Sequence, residues 1–131
     1  MRLLLDTHIA LWAVTDSLKL SPRARALIAA PENALFVSAA SVWEIAIKHA
    51  LPKRGAGWMP ISGQAATGYF AQSGYAVLEI TAAHAVAVEG LPPIHADPFD
   101  RLLVAQAREA PLRLLTHDAR LGAYGPDILI V

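Results

Sequence analysis

Apolar positions along this chain change their period several times, and each change marks a predicted element. Residues 3–5 are three leucines, the wholly apolar pattern of a strand covered on both faces, and the run stops at Asp6. From Thr7 the apolar positions Ile9, Leu11, Trp12 and Val14 take helical spacing, and Pro22 after Ser21 opens a second helix through Ile28. Residues 34–37 read as another strand. Residues 38–51 carry a strong helix pattern, with Val42, Ile45, Ala46 and His49 in one stripe and Trp43 and Ile47 beside it, until Pro52 stops the helix.

The second half alternates in the same way. Gly55, Ala56 and Gly57 mark a loop; a helix follows over 62–72 despite Gly63 and Gly68, then a strand near 75–80 and a short helix over 81–89. Gly90, Pro92 and Pro93 break the chain, Pro98 after Asp97 starts a helix running to about 109, and residues 112–115 and 128–131 read as the last two strands. Such alternation predicts an α/β fold, a three-layer α/β/α sandwich around a mainly parallel sheet with right-handed crossovers. With 131 residues and no repeat or linker, one domain spanning 1–131 is expected.

Composition narrows the chemistry. Cysteine is absent, which rules out disulfides and thiolate metal sites and leaves oxygen or imidazole to hold any metal, as suits a reducing cytoplasm. The chain is 55% apolar, yet no run nears the roughly 20 residues of a membrane span. The apolar start is cut short at Asp6, too soon for a signal peptide, so a cytoplasmic protein with no membrane association is expected. That much apolar surface on a small chain predicts a homodimer or a protein partner. Eleven Lys and Arg balance eleven Asp and Glu, which argues against a strongly basic nucleic-acid binder. Basic residues still cluster, as Lys48, Lys53 and Arg54 and as Lys19, Arg23 and Arg25; each group is either a phosphate contact or a solvated face.

Singly, the acidic residues read as caps. Asp97 precedes Pro98 with Asp100 in the same first turn, Glu44 follows Ser41 at capping-box spacing, and Asp118 precedes the turn before Leu121. Their joint placement says more. Asp6 closes a strand, Asp118 follows another, and Asp97 and Asp100 open a helix. In a parallel sheet these ends share one edge, where ligand sites occur. Converging carboxylates repel unless protonated or neutralised by a cation, and all-oxygen ligation suits Mg²⁺ or Mn²⁺. Such an ion binds a phosphodiester oxygen, activates water and stabilises the leaving oxygen.

Four blocks occur in order: Asp6 and Thr7 after the first strand; Ser41-Val-Trp-Glu44 followed by Ile45 and Lys48; His95-Ala-Asp97-Pro-Phe-Asp100-Arg101-Leu-Leu; and Leu115-Thr116-His117-Asp118. With them the sequence resembles the PIN-domain family, and more narrowly its bacterial VapC-type toxins. The resemblance implies a parallel-sheet nuclease fold, Mg²⁺ or Mn²⁺ dependence, cleavage of RNA and a small antitoxin protein as partner. It also implies Asp6, Glu44, Asp100 and Asp118 as the catalytic and metal-binding set, with Asp97 auxiliary, one turn earlier, where it ligates, assists or only caps.

Other residues have two readings each. Thr7 and Thr116 either orient carboxylates or make ordinary caps and strand-end hydrogen bonds. For His8, His95 and His117 a structural role is favoured over proton donation, and for Trp12 and Trp43 packing is favoured over base stacking. Lys48, Lys53, Arg54 and Arg101 are candidate RNA contacts, Arg101 alternatively a partner of a site carboxylate. Two competing functions remain: a catalytically silent binding protein, and an aspartate-nucleophile phosphatase using Asp6, although His8 stands where the second acid of an Asp-x-Asp motif belongs.

Overall fold

Leu3, Leu4 and Leu5 are fully buried, which makes β1 (Arg2–Leu5) the centre of the sheet in the computed structural model, which describes residues 1–131. β1 pairs in parallel with β2 (Ala34–Ser38) on one side and with β4 (Arg113–Thr116) on the other. β3 (Ala76–Leu78) flanks β2 and β5 (Ile128–Ile130) flanks β4, giving the order β3-β2-β1-β4-β5 with every pairing parallel.

Alternate leucines of β1 feed two cores. Leu3 and Leu5 pack with Ile9, Ala24, Ile45 and Phe70 beneath α1 (Thr7–Val14), α2 (Pro22–Ala29), α3 (Ala39–His49) and α4 (Gly63–Gln72). Leu4 joins Leu103, Val104, Leu114 and Leu121 on the opposite face, beneath α6 (Pro98–Glu109), which packs on α5 (Ala82–Ala87). Each such leucine contributes about 1.5–3 kcal/mol by burial, so the period-two split of one strand ties both helical layers to the sheet. The predicted α/β sandwich with a parallel sheet is the architecture observed.

From β1 the chain winds outward through β2 to β3, then returns to β4 on the other side of β1. The winding therefore reverses between β1 and β4, the position in an open parallel sheet where a crevice forms outside the strand ends.

Boundaries shift for local reasons. Ser38 caps α3 by accepting from Ala40 N, so the helix begins at Ala39 and Ser41 lies inside its first turn; the Ser41 and Glu44 pair is not a capping box. The predicted helix over 81–89 divides into α5 and a 3-10 turn, Val88–Gly90, ahead of the proline-containing loop. The strand near 75–80 is shorter, Ala76–Leu78. Between β4 and β5 a 3-10 stretch, Ala119–Tyr124, appears that hydrophobic spacing did not signal, and it ends at Gly125, whose φ of +128° suits only glycine. Gly63 earns its place by close approach: a Cβ there would lie 3.2 Å from Ala46 Cβ. No helix is long and apolar enough to cross a membrane.

Candidate active site

Adjacent strand ends supply the first two carboxylates. Asp6 follows β1, anchors its own N–H on Leu115 O of β4 at 3.0 Å, and caps α1 by accepting from Ile9 N at 2.8 Å. Asp118 follows β4, donates its N–H to Thr116 Oγ1 at 3.1 Å and caps the 3-10 stretch by accepting from Arg120 N at 3.0 Å. The two acids thus stand on either side of the point where the winding reverses.

The helices add the rest. Glu44 projects from α3 and is only 4% exposed. Asp97 caps α6, accepting from Phe99 N at 2.8 Å and Asp100 N at 3.3 Å, and this presents Asp100 from the first helical turn. All five of these carboxylates, Asp6, Glu44, Asp97, Asp100 and Asp118, line one pocket. His8, His117, Lys48 and Arg120 complete its polar wall. Trp12 packs against both histidines, its ring 5.8 Å from that of His8 and 4.9 Å from that of His117.

Neighbouring groups hold the carboxylates in place. Thr7 Oγ1 donates to Glu44 Oε1 at 2.6 Å and lies 2.9 Å from Ser41 Oγ, while Lys48 Nζ donates to Glu44 Oε2 at 2.6 Å. Arg120 grips Asp118 through Nε at 3.0 Å and Nη2 at 2.8 Å. His95 Nε2 lies 3.0 Å from Asp118 Oδ2 and 3.7 Å from Asp100 Oδ2.

The remaining candidate cations are elsewhere. Arg101 donates to Pro92 O at 3.1 Å, Val88 O at 3.3 Å and Tyr124 Oη at 3.3 Å, so its guanidinium straps the loop before α6 and is not part of the pocket wall. Lys53 and Arg54 are exposed in the turn after α3, and neither lines the pocket.

Electrostatics follow from this crowding. Burial, then the negative charges of Asp97, Asp6 and Glu44, push the Asp100 carboxyl up to about 7 against the opposing pull of His95. Burial also raises Asp6, opposed by hydrogen bonds from Thr116 and Ile9 and by the charges of His8 and His117. Asp118 moves the other way, held well below the ordinary carboxylate range chiefly by its hydrogen bond from Arg120. Negative charge therefore exceeds what Lys48 and Arg120 neutralise.

That donor set fits a hard divalent cation. It is oxygen-rich, and one donor atom each from His95, Asp100 and Asp118 lie within 4.8 Å of one another. Asp6 and Glu44 face the same pocket but fall outside that tight trio.

Sequence pattern does not reveal Arg120, whose only signal is its position two residues after Asp118. His95 is placed beside the site by sequence, in a structural role, but its contact with Asp118 links positions 23 residues apart and needs the fold of two loops to form.

Residues 3–125 match the family described as the PIN domain. No curated protein matches the chain. Among solved structures, it is similar to the crystal structure of VapBC2 from Rickettsia felis bound to a DNA fragment from their promoter, with a TM-score of 0.70 and 16% identity over 100% of this chain and 98% of that one. It is also similar to a toxin-antitoxin complex from Klebsiella pneumoniae, with a TM-score of 0.59 and 19% identity over 96% of this chain and 94% of that one.

Proposed function

This chain belongs to the PIN domain family, and we propose that it is a metal-dependent endoribonuclease, the toxin of a toxin-antitoxin pair acting in the cytoplasm. The observation that carries the reading is the reversal of winding between β1 and β4, with Asp6 and Asp118 at the two strand ends and Asp100 facing them across the pocket.

Asp6, Glu44, Asp100 and Asp118 would hold Mg²⁺ or Mn²⁺, with Asp97 in support. When bound, the ion supplies Lewis-acid stabilisation of the charge that builds on the phosphodiester and makes water a competent nucleophile near neutral pH. The chain's own groups do the rest. Thr7 fixes one oxygen of Glu44, and Thr116 supports Asp6 and the turn to Asp118. Lys48 and Arg120, at the pocket wall and paired with Glu44 and Asp118, are the cations that would turn to the non-bridging oxygens of an RNA phosphate once an ion takes up those carboxylates. His8 and His117 are the groups available to protonate the leaving oxygen as its bond to phosphorus breaks.

The proposed partners rest on the surface and on the similar structures, one of VapBC2 with promoter DNA and one of a toxin-antitoxin complex. One apolar groove runs past Leu11, Trp12, Trp58 and Ile61, and a second past Trp43, Val88, Phe99 and Leu102, where Trp43 is 57% exposed. An antitoxin and a second copy of the chain are the proposed occupants of apolar surface on this scale.

The test is cleavage of RNA by the purified, partner-free protein with Mg²⁺ or Mn²⁺. Cleavage should stop with chelator and fall by at least about a hundredfold in Asp6→Asn. Full activity in that variant would remove Asp6 from the mechanism, and no cleavage by the wild type with either ion would favour a silent binding protein.

A further inference from the structure

The hydrogen bonds of His95 fix which of its ring nitrogens carries the proton. The side chain is 6% exposed, and the N–H of Asp97 donates to Nδ1 at 3.1 Å, so Nδ1 presents a lone pair and the proton resides on Nε2. Nε2–H then donates at 3.0 Å to Asp118 Oδ2, which also accepts from Arg120 Nη2 at 2.8 Å, while Asp100 Oδ2 lies 3.7 Å from the same ring nitrogen. The backbone holds this orientation from both ends. His95 N–H donates to Tyr124 Oη at 3.1 Å, and Tyr124 closes the 3-10 stretch that Asp118 caps. The loop before α6 and the turn after β4 are thereby clasped through one histidine.

Viewed as distances alone, His95, Asp100 and Asp118 have the outline of a mixed imidazole and carboxylate ligand trio. The hydrogen bonds say otherwise. A neutral imidazole ligates through its unprotonated nitrogen. Here that nitrogen receives the Asp97 N–H, and the nitrogen turned toward the carboxylates carries hydrogen.

We infer that His95 is a positioning residue that orients the Asp118 carboxylate through Nε2–H from the loop before α6, complementing the Arg120 hydrogen bonds made within the turn after β4, and is not itself a ligand of the ion. The inference rests on the proposed metal-site reading and gives His95 a role beside its acids. A fixed acceptor oxygen spares Asp118 the cost of ordering on binding, which is how a hydrogen-bonded partner raises the affinity of a ligating carboxylate.

Three measurements test it without RNA. Long-range proton–nitrogen NMR of the wild-type protein should find His95 protonated at Nε2 before and after Mg²⁺ is added. Pulsed electron paramagnetic resonance of the Mn²⁺-loaded protein should show no directly coordinated imidazole nitrogen. In calorimetry His95→Gln, whose amide donor reaches the same oxygen, should bind Mn²⁺ within about threefold of wild type, whereas His95→Ala should bind about 10–100-fold more weakly.

An Nδ1-protonated ring, a coordinated nitrogen, or a Gln variant as weak as the Ala variant would overturn the inference. Should His95→Ala fail to fold by circular dichroism, the two wild-type spectra and the Gln variant decide. Failure of the underlying reading looks different: wild-type protein that binds no Mn²⁺ overturns the metal site and the role of His95 with it, whereas Mn²⁺ binding without RNA cleavage overturns the nuclease alone.

Discussion

Thr7 Oγ1 donates to Glu44 Oε1 across 2.6 Å, joining the first turn of α1 to α3 in the buried wall of the pocket. Thr7→Val keeps the shape and removes the donor, leaving a buried carboxylate oxygen without that partner. It should cost about 1–3 kcal/mol in urea unfolding, while Thr7→Ser should recover most of the loss. Equal stability of wild type and Thr7→Val would show that the bond does not hold Glu44.

Without metal, stability should fall as pH rises from about 4 to 7. The fold raises the Asp100 carboxyl to about 7 from its ordinary value of 3.8. Below that lower value both states hold the proton; between the two the folded state binds more protons than the unfolded state, so raising pH disfavours folding. Asp6, also raised by burial, acts in the same direction. Melting temperatures measured with chelator should therefore decline across this window, and Mg²⁺ should reverse the decline by binding the ionised carboxylates. In Asp6→Asn the Mg²⁺ response should shrink. A melting temperature rising with pH across this window in chelator would contradict the crowding of Asp100.

Arg120 should set the acidity of Asp118. Removing its hydrogen bonds in Arg120→Gln should return the Asp118 carboxyl toward the ordinary range, seen as a higher midpoint in a carboxyl carbon NMR titration. The sign for stability follows. A depressed carboxyl stabilises the fold above its unfolded value and loses that contribution as pH falls, so the variant should give up part of this acid-side dependence. An unchanged midpoint would assign the depression to His95 and the local backbone.

Arg101 should matter for folding more than for RNA. Its guanidinium binds the carbonyls of Val88 and Pro92 and the hydroxyl of Tyr124. Arg101→Met should destabilise the protein by about 1.5–3 kcal/mol, the scale of hydrogen bonds to a charged group, and leave the salt dependence of RNA binding unchanged. A flatter salt dependence with normal stability would return Arg101 to the RNA surface.

Local rules made much of this fold legible. The leucine run of β1, the Ser21 and Pro22 start of α2 and the Asp97 and Pro98 start of α6 depend on residues adjacent in sequence, and each forms as its pattern implies. The edge of the sheet on which Asp6, Asp97, Asp100 and Asp118 gather was also readable, because strand ends and helix starts must share it in a parallel sheet. What local pattern does not encode is partnership across loops. The Thr7 to Glu44 and His95 to Asp118 bonds span 37 and 23 residues. In sequence Arg101 is a cation beside an acidic site, yet the fold turns it onto loop carbonyls that only tertiary structure brings near. Reversal of the strand order at β1 and β4 is likewise a property of the whole sheet, set by which strands pair and not by any one strand's sequence.

If carboxylates from two strand ends and two helices together hold a divalent ion, anomalous diffraction from Mn²⁺-bound crystals should show a peak in the pocket with oxygens of Asp6, Asp100 and Asp118 at coordination distance, about 2.0–2.6 Å. Glu44 should lie beside the ion, and His95 Nε2 should stay hydrogen-bonded to Asp118. No peak at saturating Mn²⁺, or a peak outside this pocket alone, would contradict this shared site.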